Sequence, residues 1–361
     1  LKSSADWAWP SFNERAKWTP ALDSQVVPTY LEVAFDNICN LKCAYCSPVY
    51  SSSWEHEIRQ LGPYPTRFRY NNLALFRLQK SDKLVAEEHK IFKEAFWTWW
   101  PDLGSKLQHL RVTGGEPLLA ADTWKLLDRL KNEHHPQLIF SINSNLSVPE
   151  PLVQRLGQSL TAIEDRVEKI IVFASIDSIG KQSEYIRFGL NEQLFWKNIE
   201  TLLRQSGPSF QLSFMITVNL LSLPGFASLI EKIAQLKETY PNRHISIDTP
   251  YLNHPEHLSL CAAPDLSLPW IDKAIRAVHS GSFSQEEVIR IERIRSLLES
   301  RPFSRLKRTL LLRDLHLFLC EYDKRRALNH GEVFPELAPL FHSAQQASQS
   351  WWGRSLAWIR V

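Results

Sequence analysis

Three of the five cysteines fall within eight residues, Cys39-Asn-Leu-Lys-Cys43-Ala-Tyr-Cys46, a C-x3-C-x2-C spacing. Thiolates this close let one loop wrap an iron–sulfur cluster, while backbone N–H groups offset the cluster's negative charge. Three ligands on a four-iron cubane leave one iron open to a substrate or cofactor. Structural zinc normally takes four ligands. No fourth cysteine lies nearby, although His56, ten residues beyond Cys46, could serve.

Further polar residues fall where a strand pattern ends. Thr113-Gly114-Gly115-Glu116-Pro117 follows an apolar run; glycines permit close backbone approach, and a carboxylate can accept a charge-assisted hydrogen bond from an ammonium. Ser141-Ile-Asn143-Ser-Asn145, Ser175-Ile-Asp177 with Tyr185-Ile-Arg187, and Thr217-Val-Asn219 repeat the pattern. Polar side chains at strand C-termini face the ligand crevice of an open α/β sheet. An arginine fork suits a carboxylate bidentately.

CNLKCAYC after a first strand, followed by GGEP, resembles the radical S-adenosylmethionine (SAM) superfamily. The resemblance covers roughly residues 29–250. It implies a [4Fe–4S] cluster on Cys39, Cys43 and Cys46, with SAM on the open iron. Reductive cleavage of SAM to a 5′-deoxyadenosyl radical and hydrogen abstraction from a substrate would follow. It further implies SAM contacts from Tyr45, Gly114, Gly115, Glu116, Asn143, Ser175, Asp177, Arg187 and Asn219. In that family the glutamate receives the SAM amino group and the arginine its carboxylate. An external electron donor such as flavodoxin or ferredoxin is expected.

The closest flavour is the SPASM/twitch branch, many of whose members modify peptides. Only Cys261 and Cys320 follow Cys46, far apart, so a single cluster is expected. A peptide or protein substrate, modified by epimerisation or crosslinking, is the first reading. A small metabolite, nucleoside or cofactor precursor is the alternative, and a nonenzymatic metal-binding module a third. Cys320 sits in an apolar helix and reads as core. Both read first as small buried packing residues; Cys261, in a loop-like segment, is the better candidate for the alternative, a hydrogen donor. Asp248, Tyr251 and Cys261 are expected around the substrate, with the C-terminal helices as a lid.

These residues need elements to position them. Strand patterns at Tyr30–Phe35, Leu110–Thr113, Leu138–Asn143, Lys169–Ile176, Phe210–Val218 and His244–Asp248 alternate with helical patterns. Such alternation implies parallel βαβ units with right-handed crossovers. The expected fold is α/β: a partial (β/α)6 TIM-like barrel over 29–250. A wrapping segment, 1–28, precedes it, and a mostly helical, twitch-like extension, 251–361, follows. The end, Trp351 to Val361, reads as a packing helix. With 42 basic and 39 acidic residues, the charge does not call for nucleic acid. No apolar run approaches the ~20 residues that span a bilayer. Leu1 to Pro10 hold Lys2, Asp6 and two tryptophans in place of an apolar signal core, so a cytoplasmic, reducing setting is expected.

Overall fold

A computed structural model describes residues 28–67, 70–71 and 82–349. The wrapping segment and the Trp351–Val361 helix expected from the sequence lie outside these residues, Pro28 apart.

Six parallel strands form the main sheet: β1 (Tyr30–Ala34), β3 (His109–Thr113), β4 (His135–Ser144), β5 (Val167–Ser175), β7 (Phe210–Met215) and β8 (His244–Asp248). They lie side by side in chain order with no reversal. A doubly wound sheet reverses its order at a switch point, and this sheet does not. A second ribbon pairs β2 (Lys42–Cys43) antiparallel with β6 (Arg187–Phe188). Nothing in two residues of each partner carries a strand pattern, and sequence reading missed it.

The register separates two faces. Val33, Val112, Ile142, Val172, Leu212 and Ile245 lie in one row across the sheet. All but the edge residue Val33 are buried. The neighbouring row on the opposite face reads Glu32, Arg111, Ser141, Ile171, Gln211 and His244. Burying the apolar face contributes roughly 1.5–3 kcal/mol per large aliphatic side chain.

The helices between strands are α2 (Asp82–Gly104), α3 (Ala121–Asn132), α4 (Glu150–Ile163), α6 (Glu192–Gln205) and α7 (Leu223–Thr239); the short α1 (Ser52–Leu61) and α5 (Gly180–Ile186) flank the ribbon. Beyond the sheet come α8 (Pro264–Ser280), α9 (Gln285–Glu299), α10 (Arg305–Arg326), α11 (His330–Val333) and α12 (Ala338–Gln349). Ser284 and Glu287 close the expected capping box at α9. Helix α7 packs on α8, and α8 on α9, so the C-terminal helices continue the helical layer. The free edge of β8 is closed by α9: Glu287 accepts from Ile247 N at 2.8 Å, and Arg290 donates to Ile247 O at 3.3 Å. Edge strands need such cover against unwanted pairing.

Among the described residues no helix is long and apolar enough to cross a membrane.

Candidate functional site

The loop after β1 carries the three cysteines, all free thiols. The first turn of α1 clamps it. Ser51 caps the helix by accepting from Trp54 N, and its hydroxyl donates to Leu41 O at 2.8 Å. Ser53 donates to Cys39 O at 2.6 Å, and Trp54 Nε1 to Cys43 O at 2.9 Å. Cys39 N donates to Ser52 Oγ at 3.2 Å. Sequence reading passed over Ser51-Ser52-Ser53-Trp54. The signal was there, because serines just before a helical run are N-cap residues. From the other side, Asn40 donates to Ser147 O and accepts from Asn145 Nδ2, at 2.8 and 2.9 Å. Ala44 N donates to Ile186 O at 2.7 Å.

Gly114 and Gly115 owe their identity to this loop. Gly114 has φ of 120°, and a Cβ there would lie 2.5 Å from Asp36 O. At Gly115 it would lie 2.3 Å from Ile38 O and 2.6 Å from Asn37 O. Gly115 N and Glu116 N donate to Asp36 O and Ile38 O, at 3.1 and 2.7 Å. The close approach is first of all one loop's backbone on another's.

Glu116 turns inward. Its carboxylate is 1% exposed and accepts from Ser144 Oγ (2.8 Å), Asn145 N (2.7 Å) and Leu118 N (3.1 Å). Burial pushes its pKa up to about 7, against the lowering effect of those three donors. The expected acceptor for an ammonium group instead ties the end of β3 to the end of β4.

Asp177, also fully buried, accepts both arms of the Arg187 fork, from Nε at 2.9 Å and Nη2 at 3.1 Å. It also accepts from Tyr45 Oη at 2.6 Å and Thr217 N at 2.8 Å. Burial pulls the Arg187 guanidinium down, but Asp177, Tyr45 and Cys43 together raise it above its ordinary value. Arg187 Nη1 lies 3.8 Å from Cys43 Sγ. The fork expected for a ligand carboxylate is thus filled by the chain's own. Asn219 is buried and closes its own turn, accepting from Leu221 N and donating to Thr217 O. An asparagine at a strand end carries both readings, turn former and ligand contact.

A cavity of about 210 Å³ opens among these parts. Cys39, Cys43, Cys46 and Tyr45 form one wall, and Gly114 and Gly115 another. The ends of β4, β5 and β7 add Asn143, Ser175 and Thr217, with Arg187 beside them. Met215, the chain's single methionine, lines it too; its Sδ accepts from Asn143 Nδ2 at 3.6 Å. Nine of the thirteen residues singled out from the sequence therefore meet around one cavity. Glu116, Asp177, Asn219 and Cys261 are buried behind it or elsewhere.

Burial, together with the charge on Cys43, pushes the Cys39 thiol up to about 12. Burial likewise raises Cys43 and, aided by its two partners, Cys46. Three thiolates here would repel one another without a cation to hold. Among the described residues no three His, Cys, Asp or Glu converge as ligands of a single metal ion. A cubane asks for something else, because each thiolate meets its own iron and the sulfurs stand further apart. The donor set, three thiols on one wall beside an arginine already neutralised by Asp177, fits the cationic core of an iron–sulfur cluster, whose net charge the thiolates turn negative.

The two later cysteines part company. Cys261 is 5% exposed in a short 3-10 turn, with Ser259 Oγ accepting from its N–H, and belongs to the apolar core. A loop-like composition hid a packed turn. Cys320, read as core, is exposed on α10, its Sγ 3.8 Å from His316 Nε2; the apolar stripe of that helix runs along Leu315, Phe318, Leu319 and Tyr322 instead. The expected lid also differs: the cavity's lining runs from Cys39 to Thr217, and α10 packs behind the cysteine loop. Asp248 ends β8 and Tyr251 follows it; Asp248 lies 3.7 Å from Arg290, and Tyr251 bridges to Val218. No protein-family model and no curated protein matches this chain.

Proposed function

We propose that this chain is a radical SAM enzyme built on a partial (β/α)6 barrel. The observation that carries the reading is the single cavity shared by Cys39, Cys43, Cys46, the Gly114–Gly115 backbone and the polar ends of β4, β5 and β7. The cavity lies at the C-terminal ends of parallel strands, where barrel and open-sheet enzymes bind ligands. Strands running in chain order, with a mostly polar row from Glu32 to His244 on one face, support a sheet curling toward a barrel.

In this reading Cys39, Cys43 and Cys46 hold a [4Fe–4S] cluster, and SAM lies between them and the strand ends. Bound there, the pair would supply one-electron reductive cleavage of SAM and a 5′-deoxyadenosyl radical, with the electron coming from a protein such as flavodoxin or ferredoxin. Asp177 fixes Arg187 beside Cys43 and anchors the Tyr45 phenol. Glu116 locks the Gly-Gly turn so that its backbone faces the cavity. The hydroxyls of Ser175 and Thr217 are placed to orient a polar ligand. Tyr50, 60% exposed, lines the mouth, with Ile38 and Val49 also exposed on that loop. An apolar rim of this kind suits a peptide substrate, modified in a cytoplasmic setting.

Anaerobic reconstitution tests the proposal. The protein should bind about four irons, and with a strong reductant it should release 5′-deoxyadenosine. The Cys39→Ala/Cys43→Ala/Cys46→Ala variant should do neither. Full iron in that variant, or S-adenosylhomocysteine as the only product, would overturn it.

A further inference from the structure

The carbonyls of the cysteine loop point into hydrogen-bond donors. Those of Cys39, Leu41 and Cys43 accept from Ser53, Ser51 and Trp54. Tyr70 Oη donates to Cys46 O and sits 3.3 Å from Ala44 O. The remaining donor comes from far along the chain. Tyr322 Oη, on α10, shares its proton between Lys42 O at 3.2 Å and Tyr185 O at 3.0 Å. Tyr185 immediately precedes Ile186, whose carbonyl holds Ala44 N.

Tyr322 is fully buried and held in place. Its ring centroid lies 5.4 Å from that of Phe318 and 5.2 Å from that of Tyr185. Arg326, one turn on, stacks its guanidinium 3.7 Å from the Tyr322 ring centroid. It pairs with Glu57 at 3.0 Å, and Glu57 pairs with Lys42 at 2.9 Å. Helix α10 therefore grips both the carbonyl and the side chain of Lys42, the residue before Cys43.

A carbonyl tied to an outer donor keeps its negative end away from the thiols. Leu41 N already donates to Cys39 Sγ at 3.4 Å. We infer that Tyr322 is a positioning residue of the cluster site: α10 holds the cysteine loop carbonyl-outward, and so sets both its rigidity and the potential felt by the group it binds. The C-terminal extension is then a buttress of the site. This inference rests on the cluster reading for its electrochemical half only.

The test uses the full chain and Tyr322→Phe, which keeps the ring and removes the hydroxyl. In the iron-free protein, amide exchange across residues 40–46 should become roughly fivefold faster, the change that ~1 kcal/mol of hydrogen bonding converts to. The exposed control Leu306→Ala on the same helix should leave it unchanged. In the iron-loaded protein, the midpoint potential should move to more negative values, because a donor's positive end has been withdrawn from the cluster's surroundings. Tyr70→Phe carries the same expectation and serves if Tyr322→Phe fails to fold. Loop exchange unchanged, or a midpoint potential unmoved at full iron content, overturns the inference. If the wild type takes up no iron, the cluster reading fails, and the exchange measurement still decides whether Tyr322 positions the loop.

Discussion

Replacing Glu116 with glutamine separates its structural load from its charge. Burial lifts the pKa of the wild-type carboxyl to about 7, from an ordinary 4.5. Below pH 4.5 the group is protonated in both the folded and the unfolded chain. Between 4.5 and 7 the folded state binds the extra proton, so stability falls as pH rises through that window. At 1.36 kcal/mol per unit, the loss is about 3 kcal/mol by pH 8. Glutamine carries no such slope. It keeps an acceptor at Oε1 for Ser144 and Leu118, but sets an amide against Asn145 N, which donates to Oε2 in the wild type. That lost acceptor costs about 1–3 kcal/mol at every pH. The variant should therefore be less stable than wild type at pH 4.5, and should close or reverse the gap by pH 8. Urea unfolding of both proteins without iron, at half-unit steps across this range, reads the difference directly. Two parallel stability curves would refute the argument, because the carboxyl would then titrate alike folded and unfolded.

Asp177→Asn should destabilise the fold by about 3–5 kcal/mol, since it strands a buried guanidinium. Adding Arg187→Met should recover much of that loss, and a double-mutant cycle with no coupling between the two would contradict the buried pair. Gly115→Ala should lower the thermal midpoint, at a cost of about 1–3 kcal/mol for overpacking, because the new methyl meets the backbone oxygens of Ile38 and Asn37; an unchanged midpoint would show that the loops have room. His257 is buried against Tyr70 and Phe318, its Nε2 meets no hydrogen-bond partner among the described residues, and burial alone takes its pKa down to about 3. Its folded pKa lies below the unfolded 6.5, so wild-type stability should fall as pH drops from 6.5 toward 3. His257→Leu should flatten that part of the acid-unfolding profile, and a profile with the same slope would count against a buried neutral imidazole.

Much of the fold was legible because its signals are local. Strand and helix periods need only a window of neighbours, and all six strands of the sheet were found within a few residues of their ends. The C-x3-C-x2-C loop and Gly114–Gly115 were legible for the same reason, since spacing alone brings thiols or glycines together. Illegible were the directions in which polar side chains turn. Glu116, Asp177 and Asn219 stand at strand ends, where a carboxylate or amide can face the crevice or tie two loops together. Which of these happens depends on partners 28, 10 and 2 residues away, namely Ser144, Arg187 and Leu221. The place of α10 behind the cysteine loop was hidden on a similar point, because its reach to Lys42 spans 280 residues.

That inward turning has a chemical consequence for the cavity. Asn143 is engaged by Arg111, Asn145 by Asn40 and Ser147, and Arg187 by Asp177. The amides and the one guanidinium on the wall therefore arrive with hydrogen bonds already made. A ligand meets thiols, the Gly114–Gly115 backbone, the Met215 thioether and the hydroxyls of Ser175 and Thr217. Groups already held by neighbours do not reorganise when a ligand enters, and preorganised dipoles act on charge without that cost. A charged ligand would be oriented by the rigidity of the wall more than by a dedicated ion pair. The wall's rigidity in turn depends on the closed Glu116 and Asp177 networks behind it. Substitutions there should loosen the site even though neither carboxylate faces it.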